Sequence, residues 1–120
     1  MKRLALALLL LPGLAGAAEP SPVAKQEISH LMSYLEGSGC EFNRNGNWYG
    51  TADAVDHINQ KYEYLLSKGL VTTAEDFIAR AASESSMSGR PYQVRCAGAA
   101  PVESGGWLKA ELVRYRASHK

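Results

Sequence analysis

Two cysteines, Cys40 and Cys96, constrain the fold of this chain more than any other feature. In an oxidising compartment such a pair reads as one disulfide, because thiols there are kept joined. A bond between them needs Cα atoms within about 7 Å, so the element holding Cys40 has to lie beside the one holding Cys96. Closing so long a loop removes about 4 kcal/mol of unfolded-state freedom on the chain-entropy account, which is comparable with the whole stability of a small domain. A redox-active dithiol is the alternative. Catalytic dithiols usually sit close together, as in Cys-x-x-Cys, with a thiol pKa lowered at a helix start, and these two are far apart in sequence.

The start of the chain argues for that oxidising compartment. Lys2 and Arg3 precede an unbroken apolar run, Leu4 to Leu11, which Pro12 and Gly13 break before Ala15-Gly16-Ala17 offers a small-residue cleavage site. Residues 1–17 are therefore expected to be a signal peptide and residues 18–120 a single exported α+β domain, periplasmic in location. The run is shorter than the about 20 apolar residues of a membrane span, so no membrane span is expected after cleavage. No Cys follows the cleavage region to carry a lipid anchor. Removing Lys2 and Arg3 from the 13 Lys plus Arg leaves 11 against 12 Asp plus Glu. Nucleic acid is excluded as a partner, since backbone binding needs clustered cations. The only local excess, Arg114, Arg116 and Lys120, reads as a solvated last helical turn.

Periodicity then lays out the elements. Ile28, Leu31, Met32 and Leu35 recur at i, i+3, i+4, i+7, the stripe of an amphipathic helix ended by Gly37 and Gly39. Asn45-Gly46, between Phe42 and Trp48-Tyr49, is a hairpin signal because both turn residues tolerate positive φ. A second helix starts at Gly50-Thr51 with Thr51 as N-cap, and its inner face is Ala54, Val55, Ile58, Tyr62, Leu65 and Leu66. Thr72 and Thr73, with Glu75 or Asp76 three residues on, form a capping box for a third helix lined by Ala74, Phe77, Ile78, Ala81 and Ala82. Asp76–Arg80 and Arg80–Glu84 are expected as surface ion pairs on its other side. Tyr92 to Cys96 alternates like a strand, Ala97 to Gly106 reads as a flexible connection, and Ser104 caps a last helix with Trp107, Leu108, Leu112 and Tyr115 inward. The expected fold is thus α+β: a small antiparallel sheet, the hairpin plus one late strand, packed with about four helices.

Chemistry-bearing residues gather in three segments. Arg44, Asn45, Trp48 and Tyr49 offer a planar cation, an amide and aromatic faces around one turn, suited to sugars, peptides or carboxylates; hairpin aromatics are equally ordinary cross-strand pairs. His57 shares a helix face with Asp53 and Lys61, so an Asp–His pair could orient a general base, or form a plain surface pair. Ser83, Ser85, Ser86 and Ser88 invite a nucleophile reading, yet lack the Gly-x-Ser-x-Gly setting and serve equally well as a loop closing the third helix, with Met87 and Arg90 on its surface. His30 and His119 read as exposed helix residues. No histidine has partners at metal-ligand spacing, so no metal is expected.

Together these runs resemble a known family. Cys40-Glu-Phe-x-Arg44-Asn-Gly-x-x-Tyr, Ala54-x-x-His57-Ile-x-x-Lys61-Tyr, Thr73-Ala-Glu-Asp-Phe-Ile and Ala82-Ser-x-Ser-Ser-x-Ser-Gly-x-Pro-Tyr-x-Val are similar to the YfeK family of small exported bacterial proteins with a domain of unknown function. The resemblance runs from about Glu27 to Tyr115 and implies a periplasmic location without any catalytic assignment. The reading that follows is a non-catalytic binding or interaction module of the bacterial envelope, needing no cofactor. Its partner would be an envelope protein, a peptide or a glycan. Its site would converge from Arg44, Asn45, Tyr49, His57, Lys61, Ser86, Ser88 and Tyr92. A small hydrolase or transferase with His57 as base is the alternative, and it requires a serine hydroxyl within about 3 Å of His57 or one water away. A third reading is a structural partner with an exposed apolar patch.

Overall fold

The computed structural model describes residues 18–120; the expected signal peptide, residues 1–17, lies outside the described residues. The helices are α1 (Pro22–Gly37), α2 (Thr51–Ser67), α3 (Ala74–Ala81) and α4 (Ser104–Ser118), and the strands are β1 (Glu41–Arg44), β2 (Asn47–Tyr49), β3 (Gln93–Arg95) and β4 (Val102–Glu103). The strands form one antiparallel sheet in the order β2-β1-β3-β4, so the α+β class holds. The sheet has one strand more than the hairpin plus late strand that the sequence predicts. β4 lies inside the segment expected to be flexible: Val102 pairs with Val94 and Glu103 with Gln93.

Each element has a local cause. α1 starts where the Ser21 hydroxyl accepts the Ala24 N–H at 3.1 Å, with Pro22 in the first turn where its missing donor costs nothing. Asn45 (φ 53°) and Gly46 (φ 88°) form the hairpin turn that their positive φ allows. In α3 the Thr73 and Asp76 capping box forms as expected. The ion pairs expected on α3 do not form. Asp76 turns back to accept from Thr72 N and Oγ1, both at 3.0 Å, and α3 ends at Ala81, which leaves Glu84 beyond any i, i+4 partner. Thr51 is not the cap of α2. Gly50 holds that position, and the Thr51 hydroxyl donates to the Cys40 carbonyl at 2.6 Å.

One core joins the helices to the inner face of the sheet. Phe77, Leu31, Leu35, Ile78 and Leu108 are fully buried, and each contributes about 1.5–3 kcal/mol of apolar burial. Side chains alternate along β1, so Phe42 enters the core while the opposite face carries Trp48, over whose ring the Arg95 guanidinium lies at 3.9 Å. Cys40 and Cys96 are joined, with Cα atoms 4.4 Å apart, directly beyond the Glu41–Arg95 register pair. The bond therefore closes the end of the β1–β3 ladder, as the cysteine positions require.

Three polar residues depart from expectation. Arg116 is not merely solvated: its guanidinium bonds Glu27 on α1 at 2.8 and 2.9 Å and Glu75 on α3 at 2.7 and 3.1 Å. His30 is half-buried rather than exposed, bonded to Glu111 and stacked on Tyr115. Ser104 begins α4 without capping it. Its N–H donates to the Tyr92 carbonyl at 3.0 Å and its hydroxyl to the Ala82 carbonyl at 2.6 Å. A buried hydroxyl takes a carbonyl partner before it serves a helix end that water can reach.

Candidate binding pocket between the hairpin and α2

Arg44 is the last residue of β1 and, two positions on from Phe42, points to the same side of the strand. Tyr49 stands opposite Phe42 in register, and the Arg44 guanidinium lies 5.0 Å from the centre of its ring. Tyr92, just before β3, is fixed through its backbone: its N–H donates to the Ser83 carbonyl at 2.9 Å and its carbonyl accepts from Ser104. His57 and Lys61 come from successive turns of α2, which the i, i+4 spacing places on one face.

These side chains meet in a connected network. Arg44 Nη1 lies 3.3 Å from His57 Nδ1, His57 Nε2 lies 3.0 Å from the Tyr92 hydroxyl, and Lys61 Nζ donates to that hydroxyl at 3.1 Å and to the Glu84 carbonyl at 2.6 Å. The proton positions follow from chemistry. A guanidinium can only donate, so Nδ1 accepts; the neutral ring then carries its proton on Nε2 and donates it to Tyr92. Burial first, then the charges of Arg44 and Lys61, hold the His57 pKa below its ordinary value. Burial also lowers the Lys61 pKa and raises that of the Tyr92 phenol.

Beneath the network is a half-enclosed cavity of about 230 Å³, lined by Phe42, Tyr49, Ala54, Ile58, Ser104 and the ring of Tyr92, with Arg44, His57 and Asp53 among its polar walls. Ion pairs among the described residues involve Lys25, His30, Arg95, Arg114 and Arg116. Arg44 and Lys61 thus have no carboxylate partner there.

Five of the residues singled out from sequence, Arg44, Tyr49, His57, Lys61 and Tyr92, come together here. Asn45 and Ser88 lie beside them as a clasp between turn and loop: Asn45 donates to Ser85 Oγ at 3.2 Å, and Ser88 Oγ donates to Asn45 at 2.6 Å. Ser86 is exposed and takes no part. Trp48 faces the other side of the sheet. Sequence reasoning missed the apolar floor, although Phe42 precedes Arg44 by one strand period, and Ala54 and Ile58 flank His57 on α2.

The serine–histidine pairing that a hydrolase would need does not form. Both His57 ring nitrogens are taken by Arg44 and Tyr92. The Ser83 hydroxyl donates to the Ile78 carbonyl, and the buried Ser85 organises its own loop by accepting from Met87 N and Ser88 N. Nor does Asp53 bond His57; it is exposed at the cavity edge. Among the described residues no group of three or more His, Cys, Asp or Glu is placed to hold a metal ion, and no helix is long and apolar enough to cross a membrane.

Fold and pocket together define a small disulfide-bonded α+β domain with a cation-rimmed apolar cavity between a β-hairpin and a helix. The chain belongs to a family of unknown function, DUF5329, whose family model matches residues 22–116. No curated protein and no solved structure matches the chain.

Proposed function

We propose that this chain is an exported protein of the bacterial envelope, YfeK-like in that respect, and that it acts as a non-catalytic binding module with the cavity between the hairpin and α2 as its ligand site. Export is supported by the disulfide, which persists where thiols are oxidised, and by the charged, apolar and small-residue order of the first 17 residues. The observation that carries the binding role is the state of His57. Its ring is neutral, both nitrogens are engaged, no serine hydroxyl bonds it, and it stands over an apolar cavity. Such a histidine orients its neighbours; a general base needs a free nitrogen facing a proton to abstract.

The test is retention of small molecules from an envelope extract by the immobilised oxidised protein, with mass-spectrometric identification of what elutes. Ala54→Trp, which fills the cavity, and Arg44→Ala, which strips its rim, serve as comparators after circular dichroism has shown that they fold. A molecule held by the wild type and lost from both variants is expected. Equal retention by all of them, or recovery of a chemically altered product, would sink the reading.

A further inference from the structure

We propose that the cavity takes a small carboxylic acid with an apolar body, an aromatic or short acyl acid, its carboxylate set between Arg44 and the Tyr92 hydroxyl and its body on Phe42, Ala54 and Ile58. The proposal deepens the binding reading above and rests on it.

Counting hydrogen-bond donors leads to this ligand. The Tyr92 oxygen accepts from both His57 and Lys61, which uses its lone pairs. Its own hydrogen then has no acceptor among the described residues, although Tyr92 is only 4% exposed. A buried donor left in that condition is costly, and the group that relieves it has to be an acceptor. Arg44 makes the same demand. One of its nitrogens serves His57 and its face serves Tyr49, while its remaining donors meet no carboxylate among the described residues. A carboxylate is acceptor-only and matches a planar guanidinium edge, satisfying both needs at once.

The rest of the ligand follows from the floor. Phe42, Ala54 and Ile58 are each buried and offer no polar atom from their side chains, so the part of the ligand lying there has to be hydrocarbon. A dry apolar cavity of about 150 Å³ is known to hold a benzene ring. The cavity here, about 230 Å³, has room for one ring or a short chain together with its acid group. Two carboxylates also face this region: Asp53 at the cavity edge, and Glu84, whose charge acts on Lys61. Asp53 is exposed and well solvated, so its repulsion of an anion is weakened by water. Removing it should tighten binding.

Calorimetry and nitrogen-15 NMR titration of the oxidised wild-type protein with benzoate, hexanoate, benzamide and benzylamine test this directly. Benzoate should bind about tenfold more tightly than benzamide, the worth of one charge-assisted contact, and should shift the His57 and Tyr92 resonances. Arg44→Ala should abolish that preference, Tyr92→Phe should weaken benzoate while keeping the ring in place, and Asp53→Asn should strengthen it. Benzamide or benzylamine binding as tightly as benzoate would overturn the acid proposal while leaving the cavity a ligand site. An absence of binding by all four probes would also overturn it, and retention from extracts then judges the broader reading separately.

Discussion

Replacing Cys40 and Cys96 together by alanine opens a loop with a sequence separation of 56. On the chain-entropy account, a closed loop of that size is worth about 4 kcal/mol at room temperature. A domain of this size loses roughly 4–8 °C of melting temperature per kcal/mol, so the doubly substituted protein should melt about 20 °C lower. Cys40 is buried at the end of β1, and truncating it adds a packing loss of about 1 kcal/mol. Wild-type protein with and without reductant separates the two contributions, because reduction leaves both side chains in place. The assay is thermal denaturation followed by far-UV circular dichroism at fixed protein concentration. Oxidised, reduced and doubly substituted proteins melting within about 3 °C of one another would refute the reasoning. It would mean that the backbone pairing of β1 with β3, together with the core, already sets the stability without help from the sulfurs.

Two further outcomes concern charge. Burial, Arg44 and Lys61 lower the His57 pKa in the folded protein, so as pH falls the unfolded chain takes up the proton first. This group's contribution to stability is complete above the free imidazole's value of about 6.5 and is lost as pH falls through the lower folded value. Urea midpoints should drop between about pH 7.5 and about pH 5.5, and His57→Gln should flatten that slope; parallel slopes would contradict the assignment. Arg116→Ala leaves Glu27, only 8% exposed, without its paired donors. Because the guanidinium itself is well exposed, the expected loss is only about 1–2 kcal/mol in denaturant. Combining it with Glu27→Gln should cost less than the sum of the single changes.

Where the sequence was legible, the controlling interaction was local. Asn45-Gly46 specifies the hairpin turn through backbone preference alone, and Thr73 with Asp76 specifies a helix start across a single turn. Cys40 and Cys96 announced which strands are neighbours, because a covalent bond leaves no choice of partner. What stayed hidden depends on distant chain. Val102-Glu103 becomes a strand only because β3 offers it an open edge, and a pair of residues after Pro101 carries no periodicity to read. Arg116 gave no sign of its tie to Glu27, since helix-face spacing says nothing about another helix. Ser104 has the residue type and place of a cap and instead serves the Ala82 carbonyl, a partner fixed only by tertiary packing. The candidate site was half legible. Its polar rim came from recognisable side-chain types, whereas its floor is made of residues that any core would use.

The place of β1 in the sheet bears on the order in which the molecule can assemble. β1 is flanked by β2, its immediate successor, and by β3, which arrives only after both α2 and α3 have been made. A lone hairpin of this kind barely survives in water. A chain made from its N-terminal end therefore keeps its sheet open until the last quarter is present, because the central strand has only one neighbour before then.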